Sequence, residues 1–149
     1  MDMLRELYQQ TILDHNRNPQ HFRKLDDANR TAEGYNPLCG DHYTIYLKVN
    51  DDVVEAVGFQ GSGCAISKAS ASVMSTLVKG KRASEIEAIF EQFTGMVKGE
   101  LSQQESERLG KLAVFAGVRE FPTRTKCATL AWHAVVSALA GEQESVKTE

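Results

Sequence analysis

The sequence predicts an α+β domain in which a small antiparallel β-sheet packs against helices. Three observations support this class: a period-two stretch with a central turn between residues 43 and 59, apolar residues at helical spacing on both sides of it, and two capping boxes. The 149 residues, 42% hydrophobic and 25% charged, suffice for one domain with a buried core. We therefore expect residues 1–149 to form a single domain.

The N-terminal segment is predicted to be an amphipathic helix. Its apolar face consists of Leu4, Leu7, Tyr8, Thr11 and Ile12. The turn signal Asn18-Pro19 ends this helix. Residues 20–38 show no sustained period and carry glycine and proline, so we expect them to be mainly loop.

A β-hairpin is predicted next. Apolar side chains alternate with polar ones at Tyr43, Ile45, Leu47 and Val49. Asn50-Asp51-Asp52 supplies the turn, and residues 53–59 give the second strand. Gly61-Ser62-Gly63 is expected to break that strand, and a helix rich in small residues should run from about Cys64 to Val78, before Gly80.

The last third of the chain is predicted to be helical. Residues 84–87 and 102–105 are capping boxes, and the second should open a helix that continues to about Ala116. The segment 121–127 is interpreted as a turn that leads into a final helix ended by Gly141. The polar tail, at about 142–149, is expected to be frayed.

The overall charge excludes two classes of partner. Seventeen Lys and Arg against twenty Asp and Glu leave a net charge of −3, which gives no general attraction to nucleic acid or to anionic membranes. No apolar run has the length of a membrane span, and the acidic start does not resemble a signal peptide. We therefore expect a cytoplasmic protein whose cysteines are thiols or metal ligands.

The three cysteines lie at predicted breaks between elements. Cys39 is in a turn-forming loop, Cys64 follows a glycine-rich junction, and Cys127 is at the predicted start of the last helix. Helix N-termini stabilise thiolates, so the positions of Cys64 and Cys127 are suitable for a metal-binding or reactive site. The alternative for each cysteine is that it packs in the core as a small buried hydrophobic side chain and has no chemical role.

A tetrahedral Zn²⁺ site is one use of these residues. Gly40 separates Cys39 from Asp41, so in an extended loop their side chains point the same way. With Cys64 and Cys127 they supply three sulfurs and one oxygen. The C-x24-C-x62-C spacing is not that of a zinc finger.

Such a site would carry excess negative charge, which two cations before Cys127 could compensate. Arg124 is the better candidate, because a guanidinium donates to sulfur and carboxylate together. For Lys126, compensation and ordinary solvation both remain open.

The four histidines are not favoured as ligands. His15 and His21 flank the Asn18-Pro19 turn and are expected at the surface. The His42 side chain should point away from that of Asp41, and His133 is off the helical spacing from Cys127, so metal contact is the minor alternative for these two.

Three motifs resemble the IscU/SufU family of iron–sulfur cluster assembly proteins. They are residues 36–41 (NPLCGD), residues 61–72 (GSGCAISKASAS) and residues 121–130 (FPTRTKCATL). The resemblance runs from about residue 4 to residue 140. It implies an IscU/SufU-like fold with about three antiparallel strands and five to six helices. It also implies a metal site formed by Cys39, Asp41, Cys64 and Cys127.

Two features are similar to the SufU branch. IscU-type scaffolds carry histidine where this chain has Lys126, and the added helical material around residues 84–105 resembles SufU. The resemblance then implies a zinc-dependent acceptor of persulfide sulfur from a SufS-type cysteine desulfurase, with Arg124 beside the metal. A desulfurase histidine would replace Cys39 on the zinc.

Three functions follow, of which sulfur relay is the leading one. The protein would be a sulfur carrier rather than a stand-alone enzyme, with Cys39 as the acceptor, because its loop is freer than a helix start. The second function is a scaffold for a transient iron–sulfur cluster, which is passed to downstream proteins. A zinc hydrolase is disfavoured, because three thiolates make the metal a poor activator of water.

Overall fold

The elements that position the cysteines are helices and strands of ordinary length. The structure, a computed structural model, describes residues 2–141 and 146–147. Its elements are α1 (Asp2–Arg17), β1 (Arg30–Asn36), β2 (Asp41–Asn50), β3 (Val53–Ser62), α2 (Ala65–Val78), α3 (Ala83–Val97), α4 (Gln103–Glu107), a 3₁₀ helix (Gly110–Glu120), α5 (Pro122–Leu139) and β4 (Val146–Lys147).

The strands form one sheet in the order β3-β2-β1-β4. β1 and β3 both pair antiparallel to β2, which confirms the α+β class with a small antiparallel sheet. β4 adds a short parallel pairing to Gly34 and Tyr35 of β1. In the tail expected to fray, Val146 and Lys147 are therefore paired, while residues 142–145 and 148–149 lie outside the described residues.

β1 corrects the prediction that residues 20–38 are mainly loop. Its side chains alternate between buried and exposed, but the buried ones are Ala32, Gly34 and Asn36. A strand whose inward side chains are small or polar leaves no alternation of large hydrophobic residues. β3 also continues through Gly61 and Ser62, which were expected to break it, because both pair with β2.

The helical region after residue 80 begins and ends at other residues than expected. α3 starts at Ala83, and the Glu85 carboxylate accepts from the Arg82 backbone N–H at 3.0 Å, so Ser84 is inside the helix and not its cap. The capping box of Ser102 and Glu105 is confirmed. The helix it opens stops at Glu107, and a 3₁₀ helix follows from Gly110, which has a φ of +60°.

The core lies between one face of the sheet and the helices. Its largest fully buried side chains are Trp132, Tyr43, Phe59, Phe93 and Phe115. None of the helices within residues 2–141 combines the length and the apolar character that crossing a bilayer requires. α5 contacts β1, β2, α2 and α3, so one helix links the sheet to the helical layer.

Candidate metal centre

Three parts of the fold bring the cysteines together. Cys39 is half-buried in the turn between β1 and β2, and Asp41 is the first residue of β2 and fully buried. Cys64 is the N-cap of α2, as the sequence predicts. Cys127 does not lie at a helix start: α5 begins at Pro122, whose fixed φ suits the first turn, so Cys127 is buried inside the helix.

The ligand atoms of Cys39, Asp41 and Cys127 form a compact group. They lie within 4.8 Å of one another, and the two sulfurs are 3.2 Å apart as free thiols. Cys64 stands outside this group of three. Its Sγ accepts from the Ser67 backbone N–H at 3.4 Å, which caps α2. The structure thus places three predicted ligands together and the fourth beside them.

The Asp41 carboxylate is held by hydrogen bonds on both oxygens. Oδ1 accepts from the Cys64 backbone N–H at 2.8 Å and from the Ser67 hydroxyl at 3.0 Å. Oδ2 accepts from the Asn36 side-chain amide at 3.3 Å. That same amide nitrogen lies 3.5 Å from the Cys127 sulfur. Oδ2 is therefore the oxygen on the Cys127 side.

Sequence reasoning missed four residues that build this centre. Asn36 and Ser67 bond Asp41 directly, and the Tyr43 hydroxyl lies 2.9 Å from Ser67 Oγ. Gly63 allows the chain to pass close by, because a Cβ there would lie 2.5 Å from Asp41 Oδ1. The available signal was position, since each residue lies within three positions of a predicted ligand in the sequence.

Two neighbouring thiols have pKa values shifted in opposite directions. A hydrogen bond from Cys127, together with the Ser67 backbone N–H, lowers the pKa of Cys64 to about 5. The same hydrogen bond, with burial, raises the pKa of Cys127. The interaction therefore favours the thiolate on Cys64 and the neutral thiol on Cys127.

Arg124 and Lys126 face different sides of α5. The Arg124 guanidinium lies near Cys127, and its interaction with Cys127 and the neighbouring cysteines raises the pKa of Arg124. Lys126 lines a groove of about 780 Å³ between α3 and α5, together with His133. Arg124 is thus the cation beside the sulfur group.

The histidines are separate from the centre. His42 is exposed and lies 3.2 Å from Glu33, so its side chain does point away from Asp41. The prediction of surface positions for His15 and His21 is wrong, because both are half-buried. Their Nδ1 atoms lie 2.7 Å from Ser72 Oγ and 3.1 Å from Ser75 Oγ, respectively.

His133 also takes no part in the sulfur group. Its ring packs edge-on against Phe90, with centroids 4.9 Å apart. The burial that this packing produces lowers the pKa of His133.

The donor set is sulfur-rich and buried. Thiolates with one carboxylate suit Zn²⁺ or an iron–sulfur centre better than Mg²⁺ or Ca²⁺, which prefer oxygen. Asp41 and Cys127 are both buried and share the Asn36 amide as a neighbour, so a cation at this point would offset the negative charge that the two carry when deprotonated. The residues present therefore fit a thiophilic metal.

Known proteins match the chain over most of its length. A sequence profile of the family described as the NifU-like N terminal domain matches residues 7–139. The iron–sulfur cluster assembly scaffold protein IscU of Streptococcus pyogenes is 38% identical over 139 residues, 93% of this chain and 86% of that protein. The zinc-dependent sulfurtransferase SufU of Bacillus subtilis is 39% identical over 137 residues, 92% of each chain.

A solved structure agrees with these sequence matches. The N-terminal part of a nitrogen-fixing NifU-like protein from Brucella abortus superimposes with a TM-score of 0.79 at 28% identity, covering 89% of this chain and 92% of that one. Because the profile and both relatives span most of the chain, the chain belongs to the IscU/SufU family of iron–sulfur cluster assembly proteins.

Proposed function

We propose that this protein is a zinc-dependent sulfur acceptor that takes persulfide sulfur from a SufS-type cysteine desulfurase for iron–sulfur cluster assembly. Cys39, Asp41, Cys64 and Cys127 would hold the zinc, which supplies a charge that keeps the cysteines as thiolates at neutral pH. The sulfur-rich donor set and the similarity to a relative named as a zinc-dependent sulfurtransferase support this. Thiols in this chemistry must be reduced, which suits the cytoplasm.

The position of Cys39 carries the proposal. Cys127 is fully buried within α5, and the Cys64 sulfur caps α2. Cys39 lies in a turn beside Gly40, whose φ is +73°. Apart from the chain neighbours of Gly40, no atom in the described part of the chain lies within 4 Å of a Cβ built on it. Cys39 is therefore the thiol that can turn outward without moving a helix.

The transfer step is a thiol exchange without net oxidation. The Cys39 thiolate attacks the terminal sulfur of the desulfurase cysteine persulfide, and a new S–S bond forms on Cys39. The S–S bond of the donor breaks, and its cysteine leaves as a thiolate. Arg124, which contacts Cys127, offsets the negative charge that gathers at the centre during this exchange.

A scaffold for a transient iron–sulfur cluster is the second candidate. Three unpaired cysteines converge, and a relative with 38% identity is named as a scaffold. Lys126, which lines the α3–α5 groove, favours the relay, since no imidazole is available at that position. Metal analysis separates the two: zinc in a colourless protein supports the relay, whereas iron, labile sulfide and visible absorption support the scaffold.

Persulfide mapping tests the acceptor. The purified protein is incubated with desulfurase and L-cysteine, alkylated, and analysed by peptide mass spectrometry. We expect the added sulfur on Cys39 in the wild type and no persulfide in Cys39→Ser. Cys64→Ser lacks a proposed zinc ligand but keeps Cys39, so a persulfide on Cys39 in this variant, even if it forms more slowly, shows that Cys64 is not the acceptor. A persulfide on Cys64 or Cys127 but never on Cys39 would contradict the proposal.

A further inference from the structure

Asn36 is a fully buried polar side chain that touches three parts of the candidate centre. It is the last residue of β1 and pairs with Asp41 across the turn that carries Cys39. A buried amide is stable only when its donors and acceptors are engaged. The hydrogen-bond partners of the Asn36 side chain therefore indicate its role in the centre.

The oxygen end of Asn36 holds the turn. Oδ1 accepts from the Leu38 backbone N–H at 3.3 Å, and the Asn36 backbone carbonyl accepts from the Gly40 N–H at 2.9 Å. The two bonds fix the backbone on either side of Cys39. The Leu38 contact also assigns the amide orientation, because only the oxygen can accept from that N–H.

The nitrogen end of Asn36 therefore faces the centre with two donors. Nδ2 lies 3.3 Å from Asp41 Oδ2 and 3.5 Å from Cys127 Sγ. These are atoms of two proposed ligands from elements far apart in sequence. One side chain thus donates to a carboxylate and to a sulfur and also braces the turn of a third ligand, Cys39.

We propose that Asn36 is a positioning residue that sets how tightly the centre holds its metal. It keeps Asp41 and Cys127 at a fixed separation and supplies N–H donors to two buried groups that would both be negatively charged when they hold the metal. This inference rests on the proposed function, because it requires that the centre binds metal. Groups that hydrogen-bond metal ligands in this way typically change affinity about 10–100-fold when removed.

Two substitutions at Asn36 and one elsewhere test this role. Asn36→Ala removes the amide, and Asn36→Leu keeps the branched skeleton but replaces the amide oxygen and nitrogen by two methyl groups. Asn29→Ala is the matched control, since the Asn29 side chain also makes two hydrogen bonds, both to Val49 at 2.8 Å. Asn29 lies beyond the opposite end of the β1–β2 pairing from the centre.

Zinc affinity is measured by competition with a chromophoric chelator. We expect both Asn36 variants to bind Zn²⁺ about 10–100-fold more weakly than wild type and Asn29→Ala to bind within about two-fold. With Co²⁺ as the probe, the thiolate-to-cobalt charge-transfer band should move to lower energy in the Asn36 variants, because the sulfur has lost a hydrogen-bond donor. Destabilisation of the turn alone would not shift that band.

The outcomes separate the two proposals. If the wild type binds neither Zn²⁺ nor Co²⁺ tightly, the metal centre and the role of Asn36 both fail. If the wild type binds metal and the folded Asn36 variants match it in affinity and band position, the role of Asn36 alone is overturned. Weaker binding by Asn29→Ala of the same size would show that the effect is general destabilisation, which also overturns it.

Discussion

Gly63 lies where the junction between β3 and α2 passes against the Asp41 carboxylate, which makes Gly63→Ala a sharp test of how the centre is built. A Cβ at this position would lie 2.4 Å from Ser67 Oγ, 2.5 Å from Asp41 Oδ1 and 2.7 Å from the Tyr43 hydroxyl oxygen. All three neighbours are buried and hydrogen-bonded to one another in series, so none can move alone.

The expected cost has two parts. Forcing a methyl group into a packed interior destabilises by about 1–3 kcal/mol. Displacing Ser67 and Asp41 also weakens their hydrogen bonds, each of which contributes about 1 kcal/mol. The sum is roughly 2–5 kcal/mol, which for a chain of this size lowers the Tm by roughly 5–15 °C.

Thermal unfolding followed by circular dichroism measures this effect. Gly117→Ala is the control, because Gly117 is exposed in the 3₁₀ helix and a Cβ there would lie more than 4 Å from the side chains and distant backbone of residues 2–141 and 146–147. We expect the control to change stability by no more than about 0.5 kcal/mol. If Gly63→Ala unfolds at the same temperature as Gly117→Ala, the close packing around Asp41 does not exist as described.

Two further predictions concern charge. Arg124→Ala should slow persulfide formation about five-fold, which corresponds to the loss of one solvent-exposed charge contact. Lys126→Ala should change the rate by less than about two-fold, because Lys126 lines the α3–α5 groove instead. Equal losses of rate in the desulfurase assay would refute this ranking. Burial, followed by the charge of Lys111, lowers the pKa of His15, so its contribution to stability is complete above about pH 6.5 and is lost as the pH falls through the lowered value. Urea unfolding between pH 7.5 and 5 should therefore show a smaller loss of stability in His15→Gln than in wild type, and an unchanged loss would contradict this assignment.

Large side chains made the central hairpin predictable, and small ones concealed its neighbour. Ile45 and Leu47 alternate with polar residues, so β2 was evident from the sequence. β1 buries Ala32, Gly34 and Asn36 instead, and an alternation of small residues carries no hydrophobic signal. The break after Glu107 depends on the positive φ of Gly110, which a helical spacing of apolar residues cannot show.

The candidate centre was predictable where its residues are close in sequence. Cys39 and Asp41 could be paired across Gly40, but the meeting of Cys39 with Cys127 depends on how α5 docks on β1, which spacing does not encode. Asn36 escaped notice because an asparagine before a proline is an ordinary turn signal. Its burial became visible only in the folded chain.

The distance in sequence between the halves of the centre has a kinetic consequence. The contacts that Cys127 makes with Asn36 and Cys39 close loops of 91 and 88 residues, respectively. Such contacts form late, because the long intervening chain must first be ordered. During synthesis β1, β2, β3 and α2 leave the ribosome well before α5. The centre is therefore completed only when the last helix docks, and an intact centre reports that the chain has finished folding.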